Sequence, residues 1–213
     1  MRFCLLLFSF LMLLLTMSCD QNSKLNSEAE ALSVELNLER FDLHFAKTTS
    51  EDFMTLKTKY SVLFPDHIPD SLWINKMQDT LQKEINGEVY KEFPHFETET
   101  QRIEHLFRYI KYYFPDEELP IVYTLAEEVN YRRKLIWTED ALLISLDNYL
   151  GKTHKFYKGL PDYIAFQQDK DFMISDIVDE FIKPKLKRNQ SRTFLSDMIY
   201  HGKILYLKDI LMH

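Results

Sequence analysis

The chain has 213 residues, a length that fits one domain or slightly more. Its composition is that of a packed globular protein, because 46% of the residues are hydrophobic, 14% are aromatic and only 4 are glycine. The 26 basic and 33 acidic residues give a net charge of -7, which argues against a nucleic-acid partner. The scattered glycines exclude a glycine-rich phosphate loop, and we expect no cofactor.

The N-terminus predicts an exported protein. Arg2 precedes the apolar run of residues 3–15, which is short for a membrane span and typical of a signal-peptide core. Small residues lead from this run to Cys19, in a pattern similar to a bacterial lipobox with Thr16 where Leu is usual. We therefore predict that Cys19 is lipidated. A secretory signal cleaved near Ser18 and an uncleaved N-terminal anchor are the two alternatives.

These features divide the chain into three parts. Residues 1–18 are the expected lipoprotein signal peptide, and residues 19–33 combine the lipidated cysteine with a polar, flexible tether that contains no aromatic residue. Residues 34–213 are the expected single globular domain. The mature protein should therefore lie in the cell envelope, held to a membrane by its lipid, although the sequence does not identify the membrane or the leaflet.

The first segments of the globular part give mixed signals. Apolar residues alternate over residues 34–45, which favours a strand or an irregular edge segment with a phase break near Glu39. A helix should begin at residues 49–52 and continue towards Tyr60, because acidic residues occupy its first turn and apolar residues share one face. Pro65 should end this segment.

Two further helices are predicted before the middle of the chain. One is capped by Asp70 or Ser71, and Gly87 interrupts or ends its continuation. Its expected buried residues are Leu72, Met77 and Leu81. The clearest helix covers residues 98–113, where apolar residues recur at three- and four-residue steps before Pro115. Its expected buried residues are Ile103, Leu106, Phe107 and Ile110.

The middle of the chain predicts a small sheet. Residues 120–125, 134–137 and 141–146 are rich in β-branched, aromatic and aliphatic side chains. The last two runs are close enough to form a hairpin, and the apolar third run should be an inner strand with helices on both faces. The fold class is therefore α+β, a mainly helical domain with a small mixed β-sheet of about three strands.

The C-terminal part returns to a helical pattern. One helix is expected near residues 171–182, before Pro184, and another from about Thr193. The apolar stripe of the last helix consists of Phe194, Leu195, Met198, Ile199 and Leu205. No Gly, Pro or polar terminator precedes His213, so we expect the domain to be incomplete at its C-terminus.

Candidate chemistry in the globular part is sparse. No two histidines are four residues apart, which excludes an HExxH zinc helix, and His201 alone is more typical of a structural or exposed residue than of a ligand. Both cysteines lie in the first 19 residues, and no nucleophile elbow is present, so we predict no catalytic residue and no metal site. Glu104 and His105 point about 100° apart on a helix, which disfavours a shared site.

Three charged groups remain as candidates for binding. Asp176, Asp179 and Glu180 share one helical neighbourhood, where a solvated face explains them better than a cation or acid–base site does. Residues 131–133 form either a recognition surface or a charged segment that keeps an edge strand from pairing with another chain. A basic strip is the third candidate, and it can engage lipid phosphate, an anionic glycan or an acidic partner, or simply complement a helix dipole. The basic strip consists of Lys183, Lys185, Lys187 and Arg188.

Seven ordered motifs resemble one family, the gliding motility lipoprotein family GldB of Bacteroidota. The motifs are RFD at 40–42, LFP at 63–65, PDSLW at 69–73, DTLQKE at 79–84, IKYYFP at 110–115, LDNYLG at 146–151 and FLSDMIYHGK at 194–203. The resemblance implies an envelope lipoprotein required for gliding, with protein partners in machinery linked to type IX secretion. It also implies a chain shorter than other family members, which have a further helical segment.

A second similarity concerns the scaffold. The order of a strand at 142–146, a helix near 176–187 and the later residues 201–203 resembles the layout of zinc metallopeptidases. Those enzymes carry HExxH on the first helix, whereas here residues 179–183 contain no histidine and His201 takes the place of the third ligand, a Glu. This resemblance implies a degenerate zincin-like scaffold reused for binding.

The sequence therefore supports two hypotheses. The first is a non-enzymatic, membrane-anchored lipoprotein that serves as a structural or binding component of the gliding and type IX secretion apparatus. The alternative is an envelope hydrolase, metal-dependent and peptidase-like, acting on peptide or peptidoglycan.

Overall fold

The computed structural model describes residues 27–188, 191 and 193–212. The predicted signal peptide and Cys19 lie outside the described residues, as does the tether up to residue 26. After a short helical turn at residues 27–30, the helices and strands follow in chain order. They are β1 (Leu38–Glu39), α1 (Phe41–Lys47), α2 (Phe53–Lys59), α3 (Asp70–Gln78), α4 (Thr80–Glu92), α5 (Glu97–Tyr113), β2 (Ile121–Leu125), β3 (Leu135–Trp137), β4 (Ala141–Ser145), α6 (Asp162–Phe166), α7 (Met173–Ile182) and α8 (Phe194–Leu211).

The strands form one mixed sheet in the order β1-β2-β4-β3. The pairs β1–β2 and β2–β4 are parallel, and β3 pairs antiparallel with β4. The predicted hairpin is confirmed, since the backbone N–H of Thr138 donates to the carbonyl of Ala141 at 2.8 Å across the turn. The predicted α+β class is also confirmed, with β1 as a fourth strand beyond the three that the middle of the chain indicated.

The sheet separates two hydrophobic clusters. Val122, Leu142 and Ile144 pack into the larger cluster, which also contains the buried faces of α5 and α7. Alternate residues of the same strands, including Tyr123 and Ala141, pack into a smaller aromatic cluster with α1 and α2. The inner position of β4, covered on both faces, is as predicted.

The segment predicted as a strand over residues 34–45 is mostly not one. Only Leu38–Glu39 pairs with the sheet, and the chain then turns into helix α1. Phe41 and Phe45, read as alternate strand positions, are four residues apart on a helix and bury one face in the aromatic cluster. The helix starts beside Arg40, whose guanidinium bonds Asp42 at 2.7 Å and the backbone carbonyl of Phe93 at 3.1 Å.

The predicted helix after Pro69 is two helices. The side chain of Asp79 caps α4 by accepting a hydrogen bond from the backbone N–H of Gln82, so α3 ends at Gln78. The expected burial of Leu72 and Leu81 is wrong, because both side chains are about half exposed. Gly87 lies inside α4 and does not end it.

Helices α5 and α7 agree with prediction, whereas α8 differs in its orientation. The four apolar residues expected to be buried in α5 have exposures of 1% or less. Helix α8 forms as expected, but its predicted core stripe faces outward, and Phe194 is 82% exposed. The helix packs on α7 and α5 through its other side, where Leu211 is fully buried. In the part of the chain that the structure describes, no helix combines the length and the apolar character needed to cross a membrane.

Candidate binding cleft

A cleft of about 390 Å³ lies where the loop before β3 meets helices α7 and α8. It brings together residues that the sequence analysis considered separately. The carboxylates of α7, residues 131 and 132, Lys183 of the basic strip and His201 all line it. Its other lining residues are Lys134, Leu135, Gln167, Ile182, Leu186, Tyr200 and Ile204.

Asp176 occupies the inner part of this cleft. Its Oδ2 atom accepts hydrogen bonds from Lys134 Nζ and from the Tyr149 hydroxyl, each at 3.0 Å. Lys134 Nζ also donates to the backbone carbonyl of Gln167 at 2.6 Å and lies 5.1 Å from the centre of the Tyr149 ring. Burial raises the pKa of Tyr149 well above its usual value, and the charge of Asp176 adds to this effect. The Tyr149 proton is therefore held as a donor to the carboxylate.

The two other acidic residues of α7 are also paired. Lys208 of α8 donates to Asp179 at 2.8 Å, which ties the two helices together across the cleft. Glu180 forms an ion pair with Lys183, one turn further along the same segment. Each of the three carboxylates that the sequence offered as acid or base candidates therefore has a lysine partner, as expected for groups that hold helices in place.

The rim of the cleft contains groups with a different character. Arg132 is exposed, its guanidinium carbon lies 5.5 Å from the centre of the Tyr131 ring, and it forms no ion pair with a residue that the structure describes. His201 is also exposed and stacks against Tyr200. These two side chains are available to a ligand without breaking an internal ion pair.

Apolar side chains complete the wall. Leu135 at the start of β3, Ile182 at the end of α7 and Ile204 in the middle of α8 all line the cleft. A cleft with an apolar wall, internally paired charges and an open basic rim is suited to a side chain or a short segment of another polypeptide.

The basic strip is divided among several contacts. Lys185 bonds Glu117 at 2.6 Å and lies 4.4 Å from the centre of the Phe181 ring. Arg188 bonds Asp197 at 2.9 Å, whereas Lys187 is exposed and lines a separate groove beside the start of α8. Lys183 lines the cleft, so the four residues do not share one concavity.

The remaining candidates lie elsewhere or are scattered. Glu104 pairs with Arg108, while His105 stacks on Tyr109, so these neighbours do not meet at one site. Among residues 27–188, 191 and 193–212, no three His, Cys, Asp or Glu side chains are grouped so that they could hold a metal ion.

Sequence reasoning missed the residues that organise the cleft. Lys134 was assigned only to a strand, yet it joins β3, Gln167 and α7. Tyr149 belongs to the motif LDNYLG, but nothing in its spacing indicates contact with a residue 27 positions later. Both contacts depend on tertiary packing, and no local signal identifies them.

A second polar cluster lies in the same motif at the end of β4. Asp147 is fully buried, and its carboxylate accepts hydrogen bonds from the backbone N–H of Glu127 at 2.9 Å and from the Asn148 side chain at 3.0 Å. Burial raises the pKa of Asp147 to about 7. The side-chain oxygen of Asn148 is buried without a hydrogen-bond partner. This cluster fixes the chain where the sheet ends.

Comparison with known proteins addresses the identity of the chain. No curated protein and no solved structure matches it. One protein family does match, described as gliding motility protein GldB, and the match covers residues 22–213. Its members are lipoproteins anchored to a membrane of the cell envelope. The match covers nearly the whole chain in addition to the seven motifs, and the protein therefore belongs to the GldB family of gliding motility proteins.

Proposed function

We propose that the protein is a non-enzymatic binding component of the gliding apparatus and its associated type IX secretion machinery, anchored in the envelope through Cys19. The single observation that carries the binding role is the cleft between α7, α8 and the loop before β3. We further propose that residues 1–18 are removed as a signal peptide and that residues 34–213 act as one globular domain.

The pairing of the cleft carboxylates supports binding over catalysis. A carboxylate that acts as a general base must be accessible to a substrate proton. Here Asp176, Asp179 and Glu180 are each held by a lysine inside the fold. A ligand that used one of them as a base would first have to displace an internal ion pair.

The cleft also supports the view that a peptidase-like scaffold is reused. The two helices compared with those of zinc peptidases, α7 and α8, pack against each other and line one cleft. Lys134, Lys183 and Lys208 each pair with one of the three carboxylates there, so their charge is balanced without a metal ion. Arg132 at the rim offers a guanidinium for an acidic or carbonyl group of a protein partner.

The binding proposal can be tested with rim variants. Arg132→Glu and His201→Ala change exposed side chains whose internal contacts are ring stacking, so the fold should persist. The matched control is Arg133→Glu, which makes the same charge change at an exposed neighbour that does not line the cleft. Spreading of cells in which each variant replaces the wild type should fall for Arg132→Glu and His201→Ala and stay normal for Arg133→Glu.

Two results would contradict the proposal. If cells carrying any of the three variants spread equally well, the cleft would not be needed for gliding. Hydrolysis of peptide or peptidoglycan by the purified mature protein, lost in Asp176→Asn, would favour the envelope hydrolase. Thermal unfolding of each variant, compared with wild type, separates a lost contact from a lost fold.

A further inference from the structure

Helix α8 exposes a continuous apolar face to the exterior of the molecule. Six large apolar side chains of this helix are at least half exposed, more than on any other helix in the described ranges. They are Phe194, Leu195, Met198, Ile199, Leu205 and Tyr206. At 100° per residue these side chains fall within an arc of about 140°, along a helix about 27 Å long. The helix therefore has apolar side chains on two sides, because Ile204, Leu207 and Leu211 pack against the core.

The residues around this arc are those of a helix at a membrane interface. Apart from Asp209 near its C-terminal end, the arc contains no charged residue. Lys203 flanks one side and is exposed, so its long side chain can extend to a charged surface while its stem covers apolar atoms. An exposed apolar arc bordered by lysine can lie in the headgroup region with its aromatic and aliphatic side chains towards the acyl chains. The opposite side of α8 is also apolar and packs on the core of the protein.

A groove beside the arc adds charge complementarity to lipid phosphate. It has a volume of about 230 Å³, and both Lys187 and Lys203 line it. Thr193 and Ser196 contribute hydroxyl groups, while Leu195 and Ile199 of the apolar arc form its wall. Two ammonium groups beside hydroxyls and an apolar wall match the phosphate and the acyl chain of an anionic phospholipid.

The membrane is within reach of this helix. Cys19 is eight residues before Ser27, so the extended chain between them spans at most about 29 Å. Glu28 accepts a hydrogen bond from the Tyr112 hydroxyl at 2.9 Å, in the last turn of α5, and α8 packs against the same helix α5. A tether of this length keeps the globular domain at a high effective concentration near the bilayer. A weak intrinsic affinity of α8 for lipid is therefore enough to hold it on the membrane.

We infer that the apolar arc of α8, with Lys187 and Lys203, lies on the anionic surface of the membrane to which the lipoprotein is anchored. A second copy of the chain fits less well. Anionic lipid would neutralise Lys187 and Lys203 beside the arc, whereas a second copy would bring a second pair of ammonium groups to it. The arc residues, Lys187 and Lys203 do not line the cleft. A protein that does not bind membranes through α8 would therefore not contradict the proposed binding of a partner in the cleft.

The test uses the protein from residue 20 onward, without its lipid, which keeps every described element. Sedimentation with vesicles of phosphatidylethanolamine and phosphatidylglycerol should bring down the protein, and vesicles of phosphatidylcholine should bind it at least threefold less. The double variant Leu195→Ser, Ile199→Ser should lower binding to the anionic vesicles at least tenfold, since both side chains would leave the bilayer. Lys203→Glu should weaken binding to anionic vesicles and leave binding to phosphatidylcholine unchanged.

A matched control removes exposed apolar surface elsewhere. Tyr163 and Phe166 of α6 are 71% and 53% exposed, so Tyr163→Ser, Phe166→Ser deletes comparable area away from α8. It should bind vesicles as the wild type does. Equal loss in both double variants, or no vesicle binding by the wild type, would overturn the inference. It would also be overturned if light scattering showed a dimer that Leu195→Ser, Ile199→Ser dissolves, because a second copy would then cover the arc.

Discussion

Asp147 should make the protein less stable as the pH rises through neutrality. Its side chain is fully buried, and burial raises its pKa to about 7 from the usual value of 3.8. The folded state therefore keeps the proton between pH 4 and 7, where the unfolded chain has lost it. Since the folded state binds more protons in this window, the free energy of unfolding is greatest below about pH 4 and falls as the pH rises to about 7.

The magnitude follows from the shift in pKa. A change of about three units, at 1.36 kcal/mol each, corresponds to about 4 kcal/mol over the whole window, of which about 3 kcal/mol lies above pH 5. Asp147→Asn places a neutral side chain of the same shape against the backbone N–H of Glu127. The variant should lose the part of the pH dependence that Asp147 causes.

Urea unfolding at pH 5, 6, 7 and 8 measures the effect. The wild-type midpoint should fall between pH 5 and 8 by about 1.5 M more than that of Asp147→Asn, given a slope of about 2 kcal/mol/M for a domain of this size. Glu139→Gln, which removes one exposed negative charge, should keep the wild-type dependence. Parallel pH curves for wild type and Asp147→Asn would refute the reasoning.

Three further predictions concern stability. Lys134→Met should lower the free energy of unfolding by about 2 kcal/mol, because Asp176 keeps only the Tyr149 hydroxyl as a partner, and urea titration measures this loss. Gly151→Ala should destabilise the protein by about 1 kcal/mol, because Gly151 has a φ of +94°, which alanine adopts only with strain. Gly87→Ala should stabilise α4 by up to about 1 kcal/mol, since a new Cβ there meets nothing within 4 Å. Melting temperatures equal to that of the wild type would contradict both expectations. Lys185→Ala should cost about 1 kcal/mol through lost contacts with Phe181 and Glu117, while Lys187→Ala should stay within about 0.5 kcal/mol of wild type by thermal unfolding.

The sequence predicted those elements whose local pattern has one physical solution. Helix α5 combines a long three- and four-residue period with a proline after its end, and the β3–β4 hairpin combines two short apolar runs with a brief turn. Residues 41–45 were ambiguous, because Phe41 and Phe45 fit both an alternating strand and one face of a helix. In the helical conformation, Asp42 bonds its near neighbour Arg40 and also makes a tertiary contact with Thr124 of β2.

Helix α8 shows a second kind of limit. Its period correctly predicted a helix, but periodicity did not show that the apolar stripe faces outward while other apolar residues of the same helix contact the core. The same limit applies to the cleft. Asp176, Asp179 and Glu180 were recognised as neighbours on one helix, whereas their lysine partners come from the loop before β3, from α8 and from the segment after α7.

Colony spreading of the parent organism tests the central claim most directly. The gene is deleted and replaced by wild type, by Cys19→Ala, by Arg132→Glu or by the control Arg133→Glu, with the amount of each protein in the cell measured alongside. We expect spreading to be lost on deletion and restored by wild type and Arg133→Glu, but not by Cys19→Ala or Arg132→Glu. Normal spreading of the deletion strain, or full rescue by Arg132→Glu, would contradict a membrane-anchored protein that acts in gliding through this cleft.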